Sequence, residues 1–160
     1  MAILYVLRHA KSSWDDPALA DHDRPLAPRG RRNAAALAEH VAQERIVPAL
    51  ILCSTALRAR ETLAALLPAL DGESEIRLED DLYGASAEGL LARLRTVPEA
   101  ATSVLLVGHN PGLEDLVGRL AGDEAPERLP TAALATIESG EAWGSLGESR
   151  SRLLSTTILR

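Results

Sequence analysis

An α/β domain built on a mostly parallel sheet is the fold class this sequence predicts, and three observations predict it. Short continuous apolar runs recur at 3–7, 49–53, 103–107 and 132–137, the pattern of strands covered on both faces. Stretches with helical spacing of apolar residues lie between them, so strand and helix alternate along the chain. The 160 residues, 46% of them hydrophobic, can bury one sizeable core, which implies a single three-layer domain over 1–160 with helices on both faces of the sheet.

The elements follow in order. Strand 3–7 ends on Arg8-His9, and PRGRRNAAALAEHV at 28–41 is an Ala-rich helix with Pro in its first turn. Strand 49–53 leads into a helix over 56–67, and 75–78 is a weaker strand. Ser86 is placed to cap a helix over 87–97 by accepting from a free N–H of its first turn. Strand 103–107 is followed by Pro111 at the start of GLEDLVGRLAG, a further helix, and then by strand 132–137. The segment 143–160 supplies a last strand near an edge. No repeat, low-complexity tract or long linker divides the chain.

With 17 Lys plus Arg against 23 Asp plus Glu, the formal charge of -6 disfavours nucleic acid and anionic lipid as partners. Cationic function must therefore be local. The lone Cys53 excludes an internal disulfide and a cysteine-rich zinc framework, and is expected as a small buried residue of a strand. No apolar stretch approaches the ~20 residues that span a bilayer, and the N-terminal charge follows its apolar run instead of preceding it, so a cytoplasmic location is expected.

Polar residues interrupt the apolar runs at one kind of place. Arg8 and His9 end the first strand, Ser54 and Thr55 the second, and Gly108-His109-Asn110 follow TSVLLV. All are carboxyl ends, where ligands bind in open parallel sheets. Arg58 falls in the first turn of the next helix and reaches the same crevice. Guanidiniums hold phosphate oxygens in paired planar hydrogen bonds, and a neutral imidazole is a competent nucleophile, so the set fits phosphoryl transfer through a covalent intermediate. The two cations should also lower the pKa of His9 and keep it unprotonated at neutral pH. This scheme calls for no metal and no cofactor.

Leu7-Arg8-His9-Ala10 resembles the signature of the histidine phosphatase superfamily, which includes the phosphoglycerate mutases. RHAKSSW, DHDRPLAPRG at 21–30, CSTALRARETL at 53–63, DDLYG at 80–84 and VGHNPGLEDL at 107–116 carry the resemblance over nearly the whole chain, and it is nearest to the short SixA-type phosphohistidine phosphatases. The resemblance implies a phosphoglycerate mutase-like fold with His9 carrying the phosphoryl group, Arg8 and Arg58 binding its oxygens, and His109 completing the phosphate pocket. It also implies phosphohistidine on a protein as substrate, with small phosphate esters as the alternative. Ester-cleaving members use a carboxylic acid to protonate the leaving oxygen; Glu79, Asp80 and Asp81 are the candidates, and alignment on Tyr83-Gly84 favours Asp80.

His40, on the Ala-rich helix, is expected to face solvent, and His22 to belong to a polar loop. Arg24 either lines the pocket rim or fixes its loop by pairing with Asp23, the latter being preferred. Arg29, Arg31 and Arg32 form a basic cluster that reads as a solvated helix start, with docking of an acidic phosphoprotein as the alternative. The rival chemistry is a metal-dependent phosphohydrolase with Asp21, His22, Asp23 and His109 as ligands, which leaves Arg8-His9 unexplained. A phosphate-binding module without turnover is a further alternative. Gly108 to Gly112 lacks the GxGxxG and GK[ST] patterns of nucleotide-binding loops.

Overall fold

In the computed structural model, which describes residues 1–70 and 72–159, six strands form one sheet in the order β3-β2-β4-β1-β5-β6. These are β1 (Ala2–Arg8), β2 (Leu50–Ser54), β3 (Glu75–Glu79), β4 (Ser103–Gly108), β5 (Leu134–Ser139) and β6 (Arg152–Thr157). The first four pair in parallel, whereas β5 runs antiparallel to β1 and β6 antiparallel to β5. The weak strand at 75–78 is real and forms one edge; the last strand forms the other, and residue 160 of the expected segment lies outside the described residues. The run at 132–137 starts its strand late, because Ala132 takes a positive φ and turns the chain before pairing begins.

Helices α1 (Pro28–Gln43), α2 (Leu57–Leu66), α3 (Ala87–Leu94) and α4 (Gly112–Ala121) match the helical segments, with α3 ending three residues sooner than its apolar spacing implies. Ser86 caps α3 through Gly89 N–H. Alternation along the strands sorts the core into two layers. Leu4, Val6, Leu52, Val104 and Leu106 pack with Leu91 and Leu94 of α3 and Leu113, Leu116 and Leu120 of α4. Leu7, Ile51, Cys53, Leu105 and Val107 pack instead with Leu37 and Val41 of α1 and Leu63 and Leu66 of α2. Each central strand thus buries both faces, which is why its sequence reads as a continuous apolar run.

Sheet register brings the polar ends together. Arg8 stands opposite Gly108 and Cys53 opposite Val107, so the three chains leave the sheet side by side. The His9 N–H donates to the carbonyl of Gly108 at 3.1 Å, which seats His9 one step before His109. Gly30 lets α1 close over the loop after β1, since a Cβ there would strike the backbone carbonyl of Lys11. No helix among the described residues is long and apolar enough to cross a membrane.

Candidate active site

A cavity of about 220 Å3 opens at the carboxyl ends of β1, β2 and β4, and its lining includes Arg8, His9, Arg24, Arg58 and His109. The four residues expected to form a phosphate pocket therefore lie together, from positions as far apart as 8 and 109. The rings of His9 and His109 are 5.1 Å apart.

His9 is held in one tautomer. Its Nδ1 lies 2.7 Å from the carbonyl of Ala10, and a carbonyl only accepts, so Nδ1 carries the proton and Nε2 keeps its lone pair. Arg58 Nε donates to that Nε2 at 3.4 Å. Thr62 locks the two elements, accepting from Ala10 N–H at 3.0 Å and donating to the Arg58 carbonyl at 2.7 Å. Burial pushes the His9 pKa down to about 3, with His109, Arg58 and Arg8 adding smaller like-charge contributions. The downward direction agrees with the sequence reading, but its main cause is desolvation and not the guanidiniums.

His109 is also neutral, its pKa lowered to about 4 by burial and then by Arg58. Its Nε2 meets Ser54 Oγ at 2.8 Å, while the buried Nδ1 has no partner. Arg8 is anchored by one nitrogen, Nη1, on the Leu129 carbonyl at 3.2 Å, and its buried Nε is likewise unpaired.

Asp21 is the residue that sequence reasoning missed. Its carboxylate accepts from Arg58 Nη2 at 3.0 Å, Arg24 Nη1 at 2.8 Å and Tyr83 Oη, and its carbonyl accepts from Arg58 Nη1. The Tyr83 hydrogen bond, followed by those of the two guanidiniums, holds its pKa far below the usual carboxylate range. Asp21 thus orients the fork of Arg58. Its only sequence signal was its place in DHDRPLAPRG, which was read as a metal-ligand candidate or polar loop.

Arg24 pairs with Asp21 and not with Asp23 as expected, because the 3-10 turn at Asp21–Asp23 brings side chains three residues apart onto one side. It is buried, bonded to Ser12 Oγ and the Ser13 carbonyl, and stacked 3.2 Å from the Trp14 ring centre; it both fixes the loop and lines the cavity. His22 Nε2 donates at 2.9 Å to Thr55 Oγ1, whose own hydrogen goes to Asp80. His40 is half-buried instead of facing solvent, its Nε2 lying 3.2 Å from Thr157 Oγ1 of β6.

Glu79, Asp80 and Asp81 are not in the cavity lining. Glu79 is clamped by both Nε and Nη2 of Arg93, and Asp80 accepts from Thr55 Oγ1 at 2.6 Å. Asp21, His22, Asp23 and His109 do not converge; among the described residues no three His, Cys, Asp or Glu side chains do so in a way that suits a metal.

A parallel-sheet α/β domain with an imidazole and guanidiniums converging at its strand ends defines a phosphoryl-handling protein. Comparison with known proteins places it more closely: residues 4–90 match the histidine phosphatase superfamily (branch 1), and the chain belongs to that superfamily. It is 34% identical over 149 residues to an uncharacterised protein of Mycobacterium tuberculosis, covering 88% of this chain and 91% of that one. It is 28% identical over 141 residues to the phosphohistidine phosphatase SixA of Escherichia coli, covering 87% and 86%. Among solved structures, a candidate phosphohistidine phosphatase SixA from Agrobacterium tumefaciens superposes with a TM-score of 0.86 at 34% identity, covering 99% of this chain and 98% of that one.

Proposed function

We propose that this protein is a phosphohistidine phosphatase that works through a phosphoryl intermediate on His9. The observation that carries the reading is the His9 ring itself, with Nδ1 committed to the Ala10 carbonyl and Nε2 unprotonated, beside Arg58, in a cavity walled by guanidiniums. In the first step Nε2 attacks phosphorus in line and the P–N bond to the substrate imidazole breaks; the substrate ring, which enters protonated on its other nitrogen, takes the bonding pair and leaves as neutral imidazole. In the second step a water attacks, the P–Nε2 bond breaks, and inorganic phosphate leaves. Arg8, Arg58 and His109 hold the phosphoryl oxygens as charge spreads over them; loss of one such donor commonly costs about 3 to 4 kcal/mol of transition-state stabilisation.

Substrate choice follows from what the cavity lacks. Among the described residues no carboxylic acid lines it, and the nearby Asp21 is held ionised, so it has no proton to give. A phosphate ester with a poor leaving oxygen needs such an acid, whereas an imidazole leaves readily without one. The similarity to the SixA phosphohistidine phosphatase of Escherichia coli supports the same choice.

Trapping tests it. Protein mixed with labelled phosphohistidine peptide and quenched should yield a phosphoprotein stable to alkali and labile to acid, and His9→Ala should yield none. Label retained in that variant at the wild-type amount ends the proposal.

A further inference from the structure

A second, larger cleft of about 800 Å3 adjoins the phosphate cavity and shares Arg8 and Lys11 with it. Arg29 and Arg128 extend its positive wall away from His9, and Pro130, Ile158 and Leu159 supply apolar surface. Four cations around one cleft stand out in a chain whose formal charge is -6. The carboxylate in the lining, Glu114, accepts from Leu129 N–H and Asn110 Nδ2, and so is already engaged by hydrogen bonds.

The fold builds this arrangement. Close packing of Gly30 on the Lys11 carbonyl brings the start of α1, with Arg29, beside Lys11. Arg128 precedes Leu129, whose carbonyl accepts from both Arg8 Nη1 and Asn110 Nδ2, so Arg128 is tethered next to the site. Of the basic cluster at 29–32, Arg29 alone lines the cleft; Arg31 is tied to the Leu26 carbonyl.

We propose that this cleft docks an acidic polypeptide segment flanking the phosphorylated histidine of a protein substrate, with Arg29 and Arg128 as specificity-determining cations. The inference rests on the phosphohistidine reading above and names the kind of protein that site takes. A small metabolite is recognised by enclosure that buries most of its surface. Here Lys11, Arg29, Arg128 and Ile158 are all exposed, which suits a solvated chain laid across the surface with acidic and apolar residues in turn.

Steady-state hydrolysis of three probes tests the docking: phosphoimidazole, a phosphohistidine peptide with acidic flanks, and the same peptide with those residues changed to Gln. Wild type should favour the acidic peptide by about fivefold to tenfold in kcat/KM, through KM, and lose the preference at high salt. R29E/R128E, and more mildly R29Q/R128Q, should abolish the preference while phosphoimidazole turnover stays unchanged. Equal rates of wild type on the two peptides, a preference that survives in both variants, or a variant loss equal on all three probes would each overturn the inference. So would slowed hydrolysis of small dianionic esters with the peptide preference intact, which would assign the cations to a metabolite. Failure of the function itself has a separate signature: wild type inert on all three probes.

Discussion

His9 has an ordinary imidazole's chemistry in an unusual solvent. Buried among Arg8, Arg58 and His109, it meets protons only at a pKa of about 3, against 6.5 for a free side chain, and Nε2 therefore stays unprotonated throughout the physiological range, as the proposed role of nucleophile requires. NMR titration of the ring carbons should place the His9 midpoint well below 6.5, and that of His109 near 4. A His9 midpoint at 6.5 would mean that the ring is solvated and the cavity as drawn is absent. The sign of the linked stability effect follows. Below pH 6.5 the unfolded chain binds these protons before the native one does, so native stability contributed by the two neutral rings declines as pH falls from 6.5 toward 3. Asp21 acts at the same scale: by accepting from Arg24, Arg58 and Tyr83 it orders side chains from three separate segments, and only the first of those partners, three residues away, is local enough for a sequence pattern to display.

Among the elements, the helix starts and strand ends do the positioning. β1, β2 and β4 are parallel neighbours in the sheet, so residues that merely follow an apolar run in the sequence emerge on one edge. That much was legible: continuous apolar runs mark strands, and the polar residues after them mark the edge where loops part. The close approach of α1 to the loop after β1 was not, because it depends on a glycine whose missing side chain leaves room for the Lys11 carbonyl. Gly30→Ala should force that loop and the helix start apart. The expected result is a loss of about 1 to 3 kcal/mol in urea unfolding together with a fall in turnover, as Lys11 lies two residues after His9. A variant of wild-type stability would show that the contact relaxes without cost.

At the scale of the molecule, stability comes from a sheet packed on both sides, and the contribution of a side chain depends on its distance from the edge. Leu106 on central β4 is 1% exposed, whereas Leu78 on the edge strand β3 is 52% exposed. Leu106→Ala is expected to cost about 2 to 5 kcal/mol, and Leu78→Ala within about 0.5 kcal/mol of nothing, both read from the denaturant midpoint. Comparable losses in the two would contradict the strand order. Two adjoining cavities gather Arg8, Arg24, Arg29 and Arg58 in a chain whose formal charge is -6.

By itself the sequence determined the α/β class, the alternation of strand and helix, the burial of Cys53 and the set Arg8, His9, Arg58 and His109, because each of these is written in residue types within a few positions of one another or in motifs at strand ends. Tertiary structure alone decided that Asp21 meets Arg58 and Tyr83, that Glu79, Asp80 and Asp81 stand outside the cavity, that His40 meets Thr157 of β6, and that Arg128 joins Arg8 along one cleft. The physical reason is range. Hydrophobic periodicity and turn chemistry act over single elements, whereas the direction of a loop side chain is set by whichever distant backbone and charge the completed sheet brings within hydrogen-bond reach.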